Sequence, residues 1–275
     1  MIELAPHPLV IDAPGGTCWK RSARRRHAAE PGRHAELVVL HALTGSAEYV
    51  VDGTLVELRA GTLLWALSGQ AHFLLSDQPD FDMWVFLISA RILPDDLRGS
   101  PEIPPLAISD AGDGLPPRVI TRSAATELDV IAQGVTQAGE ASVRLAGLRW
   151  WLARAWVHWQ SAANLASRRL HPAVDRAAVL LQADPNMPLH RLAREAGLSE
   201  SRLAQVFKKE VGRTLQEFRT GLKLDHVDHL VERGKVRDLT SAALAAGFGS
   251  YSQFFRVFMK ARGQSPRSYF KSTGP

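Results

Sequence analysis

Two stretches in the last hundred residues carry side chains suited to reading the edges of stacked bases. Ser201, Arg202 and Gln205 recur every three or four residues in the first, and Tyr251, Ser252, Gln253 and Arg256 occupy the second, about fifty residues later. Arginine and glutamine present forked or paired hydrogen-bonding groups that match guanine and adenine in the major groove of a duplex. Ser199, Lys208 and Lys209 border the first set, and Ser250 and Lys260 the second; these suit phosphate oxygens. One such set is ordinary for a solvated helix face. Its recurrence after two matching turns is not.

The turns are set by a near-repeat. Leu192-Ala193-Arg194-Glu195-Ala196-Gly197-Leu198 precedes Leu203, Val206 and Phe207, and Ala242-Ala243-Leu244-Ala245-Ala246-Gly247-Phe248 precedes Phe254, Val257 and Phe258. In each copy a short helix ends at a glycine able to turn the chain sharply. An apolar residue anchors the turn, and a serine caps a second helix with apolar residues at helical spacing. Residues 215–233 read as one connecting helix of roughly 28 Å, close to the 34 Å of one duplex turn, so two recognition helices could enter successive major-groove segments. Charge agrees: residues 172–275 carry a net +7 and residues 1–171 a net −2, which points to a polyanion partner for the basic part.

These residues, together with Gly212 and the closing Gly263-Gln264-Ser265-Pro266-Arg267-Ser268-Tyr269, resemble the AraC/XylS-type bacterial transcription regulators over nearly all of residues 172–275. The resemblance implies two helix-turn-helix units joined by a linker helix, binding double-stranded DNA. Ser201, Arg202 and Gln205, and Tyr251, Ser252 and Arg256, would face bases. The chain departs from the pattern at Ala242, where a large aliphatic residue is usual, and at Lys223, where arginine is. The first departure predicts a less well packed second unit.

Ahead of these elements, short runs rich in Val, Leu and aromatics at Glu36–Leu43, Ala47–Val51, Leu55–Leu58, Thr62–Leu67, His72–Leu75 and Met83–Ser89 read as strands, with Asp52-Gly53 as a hairpin signal. Gly45 and the stretch from Gly61 to His72 resemble the cupin motifs, which implies a small β-barrel. His34 and His72 could be metal ligands, but Val38 stands where a ligating glutamate is expected, so two histidines fall short of the usual three ligands. An apolar barrel with few polar groups is a default small-molecule pocket, with His34, Trp65, His72, Phe73 and Trp84 as candidate lining residues, each of which could equally be core. The basic cluster from Lys20 and Arg21 to Arg24, Arg25, Arg26 and His27 reads as a solvated strand or arm, or as a steering patch for an anionic effector. Residues 94–118 carry six prolines and three glycines and read as an irregular linker.

From Ala124 the period turns helical. Leu128, Ile131 and Val135 share one face, followed by Leu145, Leu148, Leu152, Trp156 and Trp159 on a second helix that also places Trp150 and Val157 on another flank. A helix apolar around so much of its girth must be covered on two sides, either by the β domain and the C-terminal domain of the same chain or by a second chain; the second reading is preferred, and the five residues from Leu145 to Trp159 are assigned to a homodimer interface. The single cysteine, Cys18, makes neither a disulfide nor a zinc site. No apolar run suggests a leader or a membrane span, so a reducing cytoplasm is expected.

The resulting reading is an α+β chain: an N-terminal cupin-like β-barrel (1–122), a helical linker (123–170) and an all-α double helix-turn-helix domain (171–275). It is expected to regulate transcription without catalysis or cofactor, under a small-molecule effector, with RNA polymerase as a further partner if it activates. The alternatives are a metal-dependent cupin enzyme with a DNA-binding tail and a constitutive DNA binder without an effector.

Overall fold

Alternating apolar residues from Leu37 to Ile88 build two antiparallel sheets rather than one closed barrel. The computed structural model describes residues 15–22, 35–92, 104–105, 114–232, 234 and 236–273, and the chain divides into a unit ending at Arg169 and a unit beginning at Leu170. In the first unit, β1 (Gly16–Ser22), β2 (Leu37–Thr44), β3 (Ser46–Val51), β4 (Thr54–Arg59), β5 (Thr62–Ala66), β6 (His72–Asp77) and β7 (Asp82–Ile88) are followed by the short β8 (Arg118–Val119), β9 (Ala163–Asn164) and β10 (Ser167–Arg169). One sheet has the order β1-β7-β2-β5-β8-β9, and the other β10-β4-β3-β6. Asp52 (φ 43°) and Gly53 (φ 72°) make the expected two-residue hairpin turn between β3 and β4.

The larger sheet is buried on both faces. Val38, Leu40, Ala42, Leu64, Ala66, Met83, Val85 and Leu87 meet Ala47, Tyr49, Val56 and Leu58 of the smaller sheet to form the sandwich interior. The alternate residues Leu37, Val39, Leu63, Trp65, Trp84, Phe86 and Ile88 pack under two helices, α1 (Arg122–Gln137) and α2 (Ala141–Ser161). Phe86 stacks on Trp151 at 3.4 Å between ring centroids, and Trp65 meets Trp156 edge-on at 5.7 Å. Arg118 closes the end of α2 by donating to the carbonyls of Trp159 and Gln160, both at 2.8 Å, with its guanidinium 3.9 Å from the Trp159 ring. Glu127 of α1 joins the pair by accepting from Arg154 Nη2 at 3.0 Å and meeting His158 Nε2 at 3.0 Å.

This packing corrects the interface assignment. Leu148, Leu152, Trp156 and Trp159 are buried, and Leu145 is partly buried, against the chain's own sheet, so these five residues form the first unit's core and offer nothing to a second chain. The helical pair belongs to the first unit instead of forming a separate linker.

The second unit is all helix: α3 (Pro172–Ala183), α4 (Leu189–Ala196), α5 (Glu200–Val211), α6 (Leu215–Glu232), α7 (Leu239–Ala245), α8 (Tyr251–Arg262) and α9 (Pro266–Thr273). Ala242 is fully buried in a cluster with Phe248, Phe254, Phe258 and Tyr269. Among the described residues no helix is long and apolar enough to cross a membrane.

One polar group lies deep in the helix-covered layer. His41 sits on β2 between Leu63 and Trp84 with neither ring nitrogen hydrogen-bonded, and burial pushes its pKa down to about 4 despite the nearby Asp129 carboxylate. Its folded-state value lies below the ordinary 6.5, so the unfolded chain takes up the proton first, and stability is lost as pH falls from about 6.5 to about 4. All seven tryptophans lie before residue 170; their fluorescence therefore follows the first unit alone. We expect His41→Leu to flatten the acid destabilisation of that unit, a loss of about 3 kcal/mol in the parent across the window, measured as fluorescence-detected urea midpoints at pH 7 and pH 4.

Candidate nucleic-acid interface

Both helix-turn-helix units are assembled by the same local chemistry. Gly197 (φ 77°) ends α4 and Gly247 (φ 84°) closes the turn after α7, each in the left-handed region that side chains disfavour. The next apolar residue then bonds back five positions: Leu198 N–H to Ala193 O and Phe248 N–H to Ala243 O, both 3.0 Å. Ser199 and Ser250 accept from the backbone N–H groups of Arg202 (3.3 Å) and Gln253 (3.1 Å), capping α5 and α8 as expected. In the second unit the Gln253 side chain returns to accept from Gly249 N–H at 2.8 Å. That bond holds the Gln253 side chain at the cap, with its amide N–H₂ donors not used in it.

The buried stripes of the two helices are Leu203, Val206, Phe207 and Val211 in α5 and Phe254 and Phe258 in α8. Ser201, Arg202, Gln205, Lys208 and Lys209, and Ser252, Gln253, Arg256 and Lys260, are exposed on the opposite faces. Tyr251 is only half exposed: its ring lies 5.7 Å from Phe254, so it is partly committed to the core.

The connecting helix fixes the two faces relative to each other. Arg219 of α6 donates to the carbonyl of Met187, just before α4, and Lys223, one helical turn on, donates to the carbonyl of Gly247 at 2.8 Å. Burial lowers the pKa of both cations, and for Lys223 the Arg219 charge adds to the effect. The departure at Lys223 thus keeps the cation at this place in the fold. Asn186 lies against Gly247, where an added methyl group would come within 2.3 Å of its amide atoms. The loop before α4 therefore packs against the turn after α7. Glu217, at the start of α6, accepts from the backbone N–H and the hydroxyl of Thr214, and these bonds, followed by the charges of Lys208 and Lys260, lower its pKa.

Family comparisons agree with this geometry. Residues 192–272 match the model of a helix-turn-helix domain, and residues 16–148 match that of an AraC-like ligand binding domain. The chain belongs to the AraC/XylS-type transcription regulators. This regulator has a DNA-binding helix-turn-helix domain and an N-terminal ligand-binding domain, and neither matched model describes an enzyme. Comparison with curated proteins returned no match. Among solved structures it is similar to ToxT from Vibrio cholerae O395 (14% identity over 94% of this chain and 98% of that one, TM-score 0.44). It is also similar to the C-terminal domain of AraT, a response regulator from Geobacillus stearothermophilus (24% identity, 38% of this chain and 88% of that one, TM-score 0.35). A third is the AraC-like transcriptional activator CuxR (15% identity, 76% and 73%, TM-score 0.34). At such low TM-scores none of the three bears on the function of this chain.

In the ligand-binding domain of the regulator, the expected lining residues do not come together. Trp65 and Trp84 face α1 and α2, Trp84 donating to Asp129 at 2.7 Å. Phe73, paired with Val50, lies on the opposite face of β6 from His72, and His34 lies outside the described residues, as do Arg24, Arg25, Arg26 and His27. Only His72 joins a polar group inside the sandwich. Its ring stacks 6.3 Å from Tyr49, its Nδ1 lies 3.0 Å from Gln70 O, and the Tyr49 hydroxyl is influenced by Arg21, which donates twice to Asp77 at 3.2 Å. Arg21 is buried inside the sandwich and not on a solvated arm, while Lys20, its neighbour, is exposed beside Asp82 at 3.6 Å. Among the described residues no three His, Cys, Asp or Glu side chains are placed to hold a metal ion. Burial pushes the Cys18 thiol up to about 12, which leaves it un-ionised at neutral pH.

Arg21 and Asp77 form a buried ion pair, in which Arg21 donates twice to one carboxylate oxygen. Arg21→Met should destabilise the first unit by about 3 kcal/mol or more, and Arg21→Met with Asp77→Leu should recover most of that, read as tryptophan-detected urea midpoints. In the second unit, Gly247→Ala should cost more than Gly197→Ala. Both impose left-handed strain of about 1–2 kcal/mol, but only the former meets a neighbour within 4 Å. Far-UV circular dichroism of the helical unfolding, compared with the tryptophan signal, checks the order.

Proposed function

We propose that this regulator binds a promoter element with two half-elements, one read by Ser201, Arg202 and Gln205 of α5 and the other by Tyr251, Ser252 and Arg256 of α8, with the amide of Gln253 beside them. Ser199, Lys208, Lys209, Ser250 and Lys260 hold phosphates. The observation that carries this reading is the pair of serine-capped helices, α5 and α8, whose exposed faces are polar and basic. Base contacts give the specificity, and lysine contacts give a sequence-independent affinity that falls steeply with salt. Such a chain acts in the cytoplasm, where chromosomal DNA is accessible, and without a catalytic step.

The effector in this proposal is a small molecule received between the two sheets, its polar group meeting Arg21, Tyr49 and His72 and its apolar body the aliphatic interior. Its binding biases one arrangement of the DNA-binding units over another through differential affinity for the two.

A homodimer is proposed through a different face of α2 from the one now in the core. Val143, Trp150 and Val157 are exposed at seven-residue spacing, with the exposed Ala146 and Ala153 between them; Trp150 is 56% exposed. That spacing is the seam of a coiled coil, with small residues allowing close approach.

Gln205→Ala and Arg256→Ala should each cost about 1–3 kcal/mol on a selected duplex and little on random duplex in fluorescence anisotropy titrations; equal binding of both duplexes by parent and variants would remove the base-reading assignment. Trp150→Glu should shift the parent from dimer to monomer in analytical ultracentrifugation while leaving the far-UV spectrum unchanged, and a parent that sediments as a monomer defeats the dimer proposal.

A further inference from the structure

The two reading helices do not carry the same chemistry. Aligning the buried Leu203 and Phe207 of α5 with Phe254 and Phe258 of α8 places Ala204 and Lys208 opposite Phe255 and Met259. Where the first unit has a methyl group and a cation, the second has two large apolar side chains, each 37% exposed. They are four residues apart, so they adjoin on the helix surface. At about 100° per residue, Met259 falls between Phe255 and Arg256 around the helix. The apolar ridge is therefore continuous with the polar face of Ser252, Arg256 and Lys260.

We propose that Phe255 and Met259 pack against the C5-methyl groups of thymines, so that the half-element read by α8 requires thymine where the other half-element does not. This rests on the assignment of α8 to the major groove. The thymine methyl is the one apolar group that groove displays, and the ridge lies beside Arg256 and Lys260, a setting that favours a polyanion and disfavours a second copy of the same basic surface. The Phe255 ring is backed by Tyr251 at 6.3 Å, itself anchored on Phe254, so part of the ridge is held in place before DNA arrives. The Met259 thioether supplies the adaptable part of the contact. At the equivalent position Lys208 presents a cation suited to a phosphate or to guanine rather than to a methyl group, so the asymmetry gives the two half-elements different sequences and the protein one orientation on its site.

The test uses the full chain and a duplex selected from a random library. Thymines of each half-element in turn are replaced by deoxyuridine, which keeps every hydrogen-bonding group and removes only the methyl. The expected result is a loss of roughly fourfold in affinity per contacted methyl, confined to one half-element and abolished in Phe255→Ala with Met259→Ala. Equal affinity for thymine and uracil duplexes, equal losses in both halves, or a full uracil penalty retained by the double variant overturns the proposal. So does a double variant that discriminates uracil as the parent does but changes oligomeric state, which would make the ridge a protein surface. The uracil comparison on the parent needs no variant to fold. If the parent selects no sequence at all, the base-reading assignment itself fails, a result separate from equal binding of the two duplexes.

Discussion

Arg219 and Lys223 stand one helical turn apart on α6 and reach backbone carbonyls in different helix-turn-helix units, Met187 in the first and Gly247 in the second. Each cation gives up hydration to do so, and the carbonyl it meets lies beside a helix terminus or turn where the backbone needs a donor. These two bonds set the rotation of α5 and α8 about the connecting helix. The reading residues are exposed side chains on short helices and would define no spacing without them. The proposed recognition therefore depends on backbone geometry held by two partly buried cations, with the exposed side chains of α5 and α8 added to it.

The first unit obeys a different constraint. Its larger sheet has apolar residues on both faces, so one layer of side chains meets the opposing sheet and the other must find helices. Helices α1 and α2 supply that cover with stacked aromatics, while Glu127, Arg154 and His158 hold them side by side. Glu127 is held down to a pKa of about 2, first by its bond from Arg154, so the clasp is intact above the ordinary carboxylate range and weakens only as pH falls toward that value. The polar groups of the sandwich interior lie on the far face of the sheet from the helices, which separates the part of the unit that packs from the part proposed to bind.

Much of this was legible in the sequence where the signal is local. The glycine-ended turns, serine caps and apolar spacing of α4, α5, α7 and α8 are decided by neighbours within a few residues, and the six strands from Leu37 to Ile88 follow from alternation and an Asp-Gly turn. What escaped depended on long-range partners. β1 is hidden by Lys20 and Arg21, because a strand whose inward-facing residue is an arginine reads as solvated until Asp77 appears opposite it. The two- and three-residue strands β8, β9 and β10 carry no periodicity. The Leu148–Trp159 stripe was correctly apolar but assigned the wrong partner, and Trp65 and Trp84 were left between pocket and core, since alternation says which residues share a face and not what covers it. Cys18, raised by burial, is likewise a property of surroundings and not of spacing.

Asn186 beneath Gly247 has a consequence for how such a tandem can change over time. The sequence repeat suggests two interchangeable modules, yet the loop preceding α4 props up the corner that follows α7. Lengthening or shortening that loop would move Asn186 away from the corner it packs against. Inheritance of the two halves is thus tied together at a residue that belongs, by sequence, to only one of them, and transplanting a single half into another protein would carry away the prop or the corner but never both.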